Sequence, residues 1–236
     1  RRMKNIEIET PSGKAPAVFW DNQGPTVLFL MDGIGMRQAI VDVAAKIAEK
    51  GYRVVAPDLF YRLGKYEAPD PQALFTNPEL GKAWWSRIVP IMTSDNLTMD
   101  IQAYLDFLNV PKVGVVGYCM GGRIAFTAAT WFPDRIAAAA AYHPGGLVTD
   151  GEDSPHHLAS KVKAKVYIGA AKEDPSFDAA QIKTFDQALT DAHVDHTIEV
   201  YDALHGWVPS DTPVHDAAAT QKHYDTLFAL FESALR

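Results

Sequence analysis

The sequence is poor in the residues that would tie it together or anchor it. It holds one cysteine, Cys119, in 236 residues, so no disulfide can close within the chain and no structural zinc site can be built from several thiolates. Such sparing use fits a reducing compartment, and a cytoplasmic location is expected. No apolar run approaches the ~18 residues that crossing a bilayer requires; the longest, Ile136 to Tyr142, is alanine-rich and ends at His143. Positive charge is also scarce. Lys and Arg total 22 against 29 Asp and Glu, a net charge of -7, which opposes nonspecific attraction to nucleic-acid phosphates and anionic lipids. Neither nucleic acid nor membrane is expected as a partner. The start "RRMKNIEIET" lacks the apolar core of an export signal and alternates polar and apolar residues as a strand does. Arg1 and Arg2 are read as an addition ahead of Met3.

What is present is rhythm. The chain is 47% hydrophobic, enough for one large core. Apolar, β-rich runs recur at Thr26 to Met31, Arg53 to Asp58, Lys112 to Gly117, Ile136 to His143, Lys165 to Ala170 and His196 to Asp202. Helical periodicity fills most of the intervals, at Gln38 to Lys50, Met99 to Leu108, Arg123 to Thr130, Ala179 to Asp191 and His215 to Leu235. Alternating strands and helices predict an α/β fold with a mostly parallel central sheet and helices on both faces. A single domain over residues 1–236 is expected, since no repeat or composition shift divides it. Residues 60–96 break the rhythm with Pro69, Pro71, Pro78 and Pro90 among aromatic residues, and are read as an irregular excursion over the site.

The single cysteine lies in "VGVVGYCMGGRIAF", between a strand pattern and a helix pattern. Gly117 and Gly121 flank it as the glycines of a G-x-S-x-G nucleophile elbow flank the serine, with Cys119 at the strained, exposed centre. A nucleophile in such a fold needs an orienting carboxylate and then a histidine, in that chain order, each beyond a strand. "YIGAAKEDPSF" supplies Asp174 and "VYDALHGWVP" supplies His205. Cys119 would attack a carbonyl carbon, His205 would shuttle the proton, and Asp174 would fix the imidazole. The backbone N–H groups of Gly33 and Met120 are candidates for the oxyanion hole.

Together these residues resemble the dienelactone hydrolase (carboxymethylenebutenolidase) family of the α/β-hydrolase fold. "GYCMGG" is similar to its cysteine elbow, "VVAPDLFYR" to its second-strand signature, Asp174 to its triad acid and "HGW" to its histidine motif. The resemblance implies hydrolysis of a small lactone or ester, foremost of the dienelactone type, without a cofactor, by a monomer. It also implies that an acidic residue after the first parallel strand touches the resting nucleophile. Asp32 stands there in "FLMDGIG", where dienelactone-cleaving members have glutamate. Those members further place an arginine after the catalytic histidine to hold the substrate carboxylate, and "HGWVPSDTP" has none.

Arg62, Arg87 and Arg123 are the candidate substitutes, with Arg62 alternatively an ion-pair partner of Asp58. Tyr118, Trp84, Trp85, His143 and Trp207 are candidate pocket residues. The pairs His156-His157 and His193-x-x-His196 lack a third ligand, so no metal site is expected. Two other functions remain open on these residues: a thiol-dependent esterase acting on a neutral ester, and a non-catalytic protein using Cys119 as a redox switch or ligand contact.

Overall fold

In the computed structural model, which describes residues 2–236, one eight-stranded sheet runs through the molecule in the order β1-β2-β4-β3-β5-β6-β7-β8. The reading of Arg1 lies outside the described residues. A hairpin of β1 (Met3–Thr10) and β2 (Gly13–Trp20) forms one edge. β2 pairs antiparallel with β4 (Arg53–Pro57), and from there the ladder is parallel through β3 (Thr26–Leu30), β5 (Val113–Tyr118), β6 (Ile136–Tyr142), β7 (Lys165–Ala171) and β8 (His196–Tyr201). All residues of β3 and β5 are buried, which explains why these strands read as unbroken apolar runs rather than alternating ones.

The pleat of β5 separates the helices into two layers. Gly114 and Tyr118 face α7 (Ala217–Leu235), where Phe231 fills the space a side chain at Gly114 would need and His223 meets Tyr118. Gly117 faces the other way, toward α5 (Met120–Trp131). Helix α1 (Gln38–Glu49) joins the α7 layer, with Lys46 over the Tyr224 ring. On the opposite layer α4 (Ser94–Leu108) and α6 (Ala179–Asp191) flank α5, where Phe126 packs edge-on against Phe185.

Residues 60–96 are irregular only in part. They contain α2 (Pro71–Thr76) and α3 (Pro78–Ile88), capped by the side chains of Asp70 and Asn77. Pro71 and Pro78 mislead because each is the first residue of its helix, where the missing N–H has no helical partner to lose. Among the described residues, no helix is long and apolar enough to cross a membrane.

Candidate active site

The elbow after β5 places Cys119 in a sharp turn at the head of α5. Its φ is 56° and ψ -119°, a costly conformation for a residue with a Cβ. Cys119 N–H donates to the Tyr142 carbonyl at 3.0 Å, and the Cys119 carbonyl accepts from Gly122 and Arg123 in the first turn of α5. The flanking glycines allow the close approach: a Cβ on Gly117 would meet the Gly121 carbonyl, and one on Gly121 would meet the Leu30 and Met31 carbonyls. Sγ therefore projects from the strand end into an open cavity.

β7 and β8 deliver the other two groups to the same end of the sheet. His205 Nε2 lies 3.1 Å from Cys119 Sγ, and Nδ1–H donates to Asp174 Oδ2 at 2.7 Å. Asp174 is buried and its second oxygen accepts from Ser176 N–H and Oγ–H at 2.9 and 2.6 Å. Burial works to raise the Asp174 carboxyl, but the hydrogen bonds from His205 and Ser176 outweigh it and hold the group below its usual range. Burial likewise disfavours a charged His205; negative charge on Cys119 and the bond to Asp174 prevail, raising the imidazole to about 10. Beside an ionised Cys119 the ring thus favours the imidazolium form.

The cavity is about 290 Å³ and is bounded by Asp32, Gly33 and Ile34 after β3, Leu74 and Phe75 on α2, Gly81 and Trp85 on α3, Cys119, and the segment His205, Gly206 and Thr212. Neither Gly33 N–H nor Met120 N–H has a hydrogen-bond acceptor among the described residues. The Trp85 ring lies over Gly33, and a Cβ there would sit 2.5 Å from it, so any larger residue would push the indole aside.

Of the expected pocket residues only Trp85 lines the cavity. Trp84 is turned inward, and its Nε1–H donates to the Gly33 carbonyl at 2.8 Å, anchoring α3 to the loop after β3. Tyr118 is corrected to a core position: its hydroxyl bonds His223 Nε2 at 2.6 Å on the far side of the sheet. Trp207 is fully buried and stacks on Tyr201. His143 is also fully buried, behind His205 and edge-on to Trp207, and burial drives its ring well toward the neutral form.

The arginines expected as substrate clamps are corrected too. Arg62 forms a fork on the buried Asp100 carboxylate at 2.7 to 2.9 Å, not on Asp58, which accepts from Tyr66 instead. Arg87 lies over the Trp84 ring, and Arg123 lies on the outer side of α5 beside Gly146. None of the three borders the cavity. Asp32 borders it, yet its carboxylate is paired with Arg37 rather than with Cys119. Arg37 was not recognisable beforehand because its second partner, Asp211, is remote in sequence. No cluster of three metal-ligating side chains occurs among the described residues.

The sequence model of the dienelactone hydrolase family matches residues 15–235. A carboxymethylenebutenolidase of Rhodococcus opacus is 25% identical over 205 residues, covering 82% of this chain and 77% of that protein. A candidate carboxymethylenebutenolidase of Synechocystis is 25% identical over 243 residues, with 99% and 94% covered. Among solved structures, that of a candidate dienelactone hydrolase from Klebsiella pneumoniae aligns with a TM-score of 0.82 at 21% identity, over 98% of this chain and 99% of its own. The architecture is the α/β-hydrolase fold.

Proposed function

This chain belongs to the dienelactone hydrolase family and is a carboxylic ester hydrolase, and from that premise we propose that it cleaves a small, uncharged ester or lactone through an acyl-thioester on Cys119. The observation that carries the reading is the unbroken line from Asp174 through His205 to Cys119, ending in an apolar cavity that no lysine or arginine borders.

The thiolate of Cys119 attacks the carbonyl carbon, and the carbonyl oxygen takes up the negative charge between the Gly33 and Met120 N–H groups. The C–O bond then breaks as His205 Nε2–H gives its proton to the leaving oxygen. Water next attacks the thioester and yields its proton to Nε2, so the acid leaves and the thiolate–imidazolium pair is restored. A thiolate departs more readily than an alkoxide, so the first intermediate reverts unless the leaving oxygen is acidic. The thiol and phenol reference values of ~8.5 and ~10 favour enol and aryl leaving groups over alkyl ones.

A second reading, cleavage of a carboxylated dienelactone, is favoured by the names of the relatives. It needs a cation facing the substrate carboxylate. Steady-state hydrolysis of a neutral aryl ester and of a dienelactone, by wild type beside Cys119→Ala, tests both. The expected result is aryl ester turnover that falls at least ~10⁴-fold in the folded variant. Stronger turnover of the dienelactone would move the assignment to the second reading. Undiminished hydrolysis by Cys119→Ala would sink both.

A further inference from the structure

Arg37 takes no part in these steps, yet one guanidinium joins the loops on which they depend. Its side chain is only 10% exposed. Nη1 and Nη2 donate to Asp32 Oδ1 and Oδ2 at 2.8 and 3.1 Å, Nε and Nη2 donate to Asp211 Oδ2 and Oδ1 at 2.7 and 3.0 Å, and Nη1 also reaches the Gly35 carbonyl at 3.0 Å. Asp32 directly precedes Gly33, whose N–H is proposed to receive the oxyanion. Asp211 follows His205 in the same loop, adjoining Thr212, whose hydroxyl holds the Gly206 carbonyl at 2.8 Å. Gln72 on α2 ties in the third wall by donating to the Asp211 carbonyl at 3.0 Å.

The charge arrangement matters as much as the linkage. The Asp32 side chain is 5% exposed on the wall of a cavity where a thiolate must attack and an oxyanion must form. An unpaired carboxylate in that low-dielectric space would repel both, and repulsion grows as water is excluded. The fork of Arg37 cancels it and at the same time occupies the oxygens that would otherwise reach toward sulfur. Ile34 and Gly35 N–H groups add donors to Asp32 Oδ1 at 3.1 and 3.4 Å, so the carboxylate is fully engaged away from Cys119.

We propose that Arg37 is a charge-compensating and positioning residue for hydrolysis: it neutralises Asp32 so that negative charge can develop beside Gly33, and it holds the Gly33 loop and the His205 loop in register. The inference rests on the reading that Cys119 carries ester hydrolysis. It differs from an Asp32 that restrains or releases the thiol, because both carboxylate oxygens accept from Arg37 and neither contacts Cys119.

The experiment compares aryl ester kinetics of wild type, Arg37→Gln and the double variant Arg37→Gln/Asp32→Asn. Arg37→Gln is expected to lower kcat about 10- to 100-fold with KM changed less than about threefold, since the lost interaction acts in the transition state. Removing the stranded carboxylate in the double variant is expected to bring kcat back to within about tenfold of wild type. A residue that merely braces the loops would leave the double variant at least as slow as the single one, and that result overturns the proposal. So does a wild-type kcat in Arg37→Gln. If the single variant fails to fold, the double variant, whose one remaining unpaired carboxylate, Asp211, is 32% exposed, is compared with wild type alone, and a loss beyond about 100-fold in folded protein is the overturning result. Absence of turnover in wild type would instead remove the hydrolase reading on which the proposal stands, so the two failures are distinct.

Discussion

The cavity has a wall that reacts and a wall that fits, and the two are held by different means. Cys119, Asp174 and His205 stand beyond the ends of β5, β7 and β8, strands of one continuous parallel ladder. Leu74, Phe75, Gly81 and Trp85 come from α2 and α3, two short helices outside that ladder, and both Phe75 and Trp85 are 41% exposed. The ends of β5 and β7 are fixed by pairing on both sides and by burial, and β8 is held to β7 along its whole length. The two helices depend on side-chain caps, on the indole bond from Trp84 to Gly33 and on the Gln72 bond to the Asp211 carbonyl. Chemistry is therefore placed on the least deformable part of the molecule, and shape selection on a part that single substitutions can remodel.

The largest effect expected from probing this division is on the reacting wall. Asp174→Asn should lower kcat by about 10³- to 10⁴-fold, with KM little moved, because the imidazole loses its orienting carboxylate. A KM effect without a kcat effect would break the comparison. The pH profile sharpens it. With the His205 imidazolium titrating at about 10, kcat/KM should hold through neutral pH and fall as pH rises through that value, where the proton owed to the leaving oxygen is lost. In Asp174→Asn the descending limb should move to lower pH, since one of the interactions that raise the histidine is gone.

On the fitting wall, Trp85→Ala should raise KM for an apolar aryl ester about tenfold and change kcat by less than about threefold, measured in the same assay. The smallest expected effect belongs to neither wall. Tyr118 adjoins the nucleophile in sequence but points to the opposite face, where it satisfies His223 Nε2 while Nδ1–H donates to the Thr220 carbonyl at 3.1 Å. Tyr118→Phe should cost about 1–3 kcal/mol in urea unfolding through the stranded acceptor, with kinetics close to wild type. A large fall in kcat would show that this residue is coupled to the cavity after all.

The parts that could be read from the chain are those with short-range signatures. The glycines around Cys119 announce a sharp strand-to-helix turn, and Asp174 and His205 each follow a run of β-rich residues. The polar-apolar alternation of Met3–Thr10 likewise marks β1. Its partner β2 was hidden by Pro16, which is tolerated because the ladder to β4 begins one residue later, at Ala17 opposite Pro57. Helices α2 and α3 were hidden by their prolines for the related reason that a first-turn residue needs no N–H. The arginines were hidden differently. Whether Arg62 meets Asp58 or Asp100, and whether Arg37 meets Asp211, depends on how distant loops stack, and periodicity carries no information about that. Aromatic residues pose the same difficulty, since nothing local distinguishes Trp85 on the cavity from Trp207 beneath it.

The order of the strands also sets a schedule. β3 carries the loop that ends in Gly33, yet its ladder neighbour on one side is β5, so that Val27 waits for Gly114. Closing loops of that span is slow compared with forming the adjacent hairpin of β1 and β2. Cys119 then remains without its histidine until β7 and β8 have docked in turn, because Asp174 and His205 arrive only with them. A chain emerging from the ribosome thus carries its thiol well before it carries the base that charges it, and reactivity is acquired only once the last strands are in place.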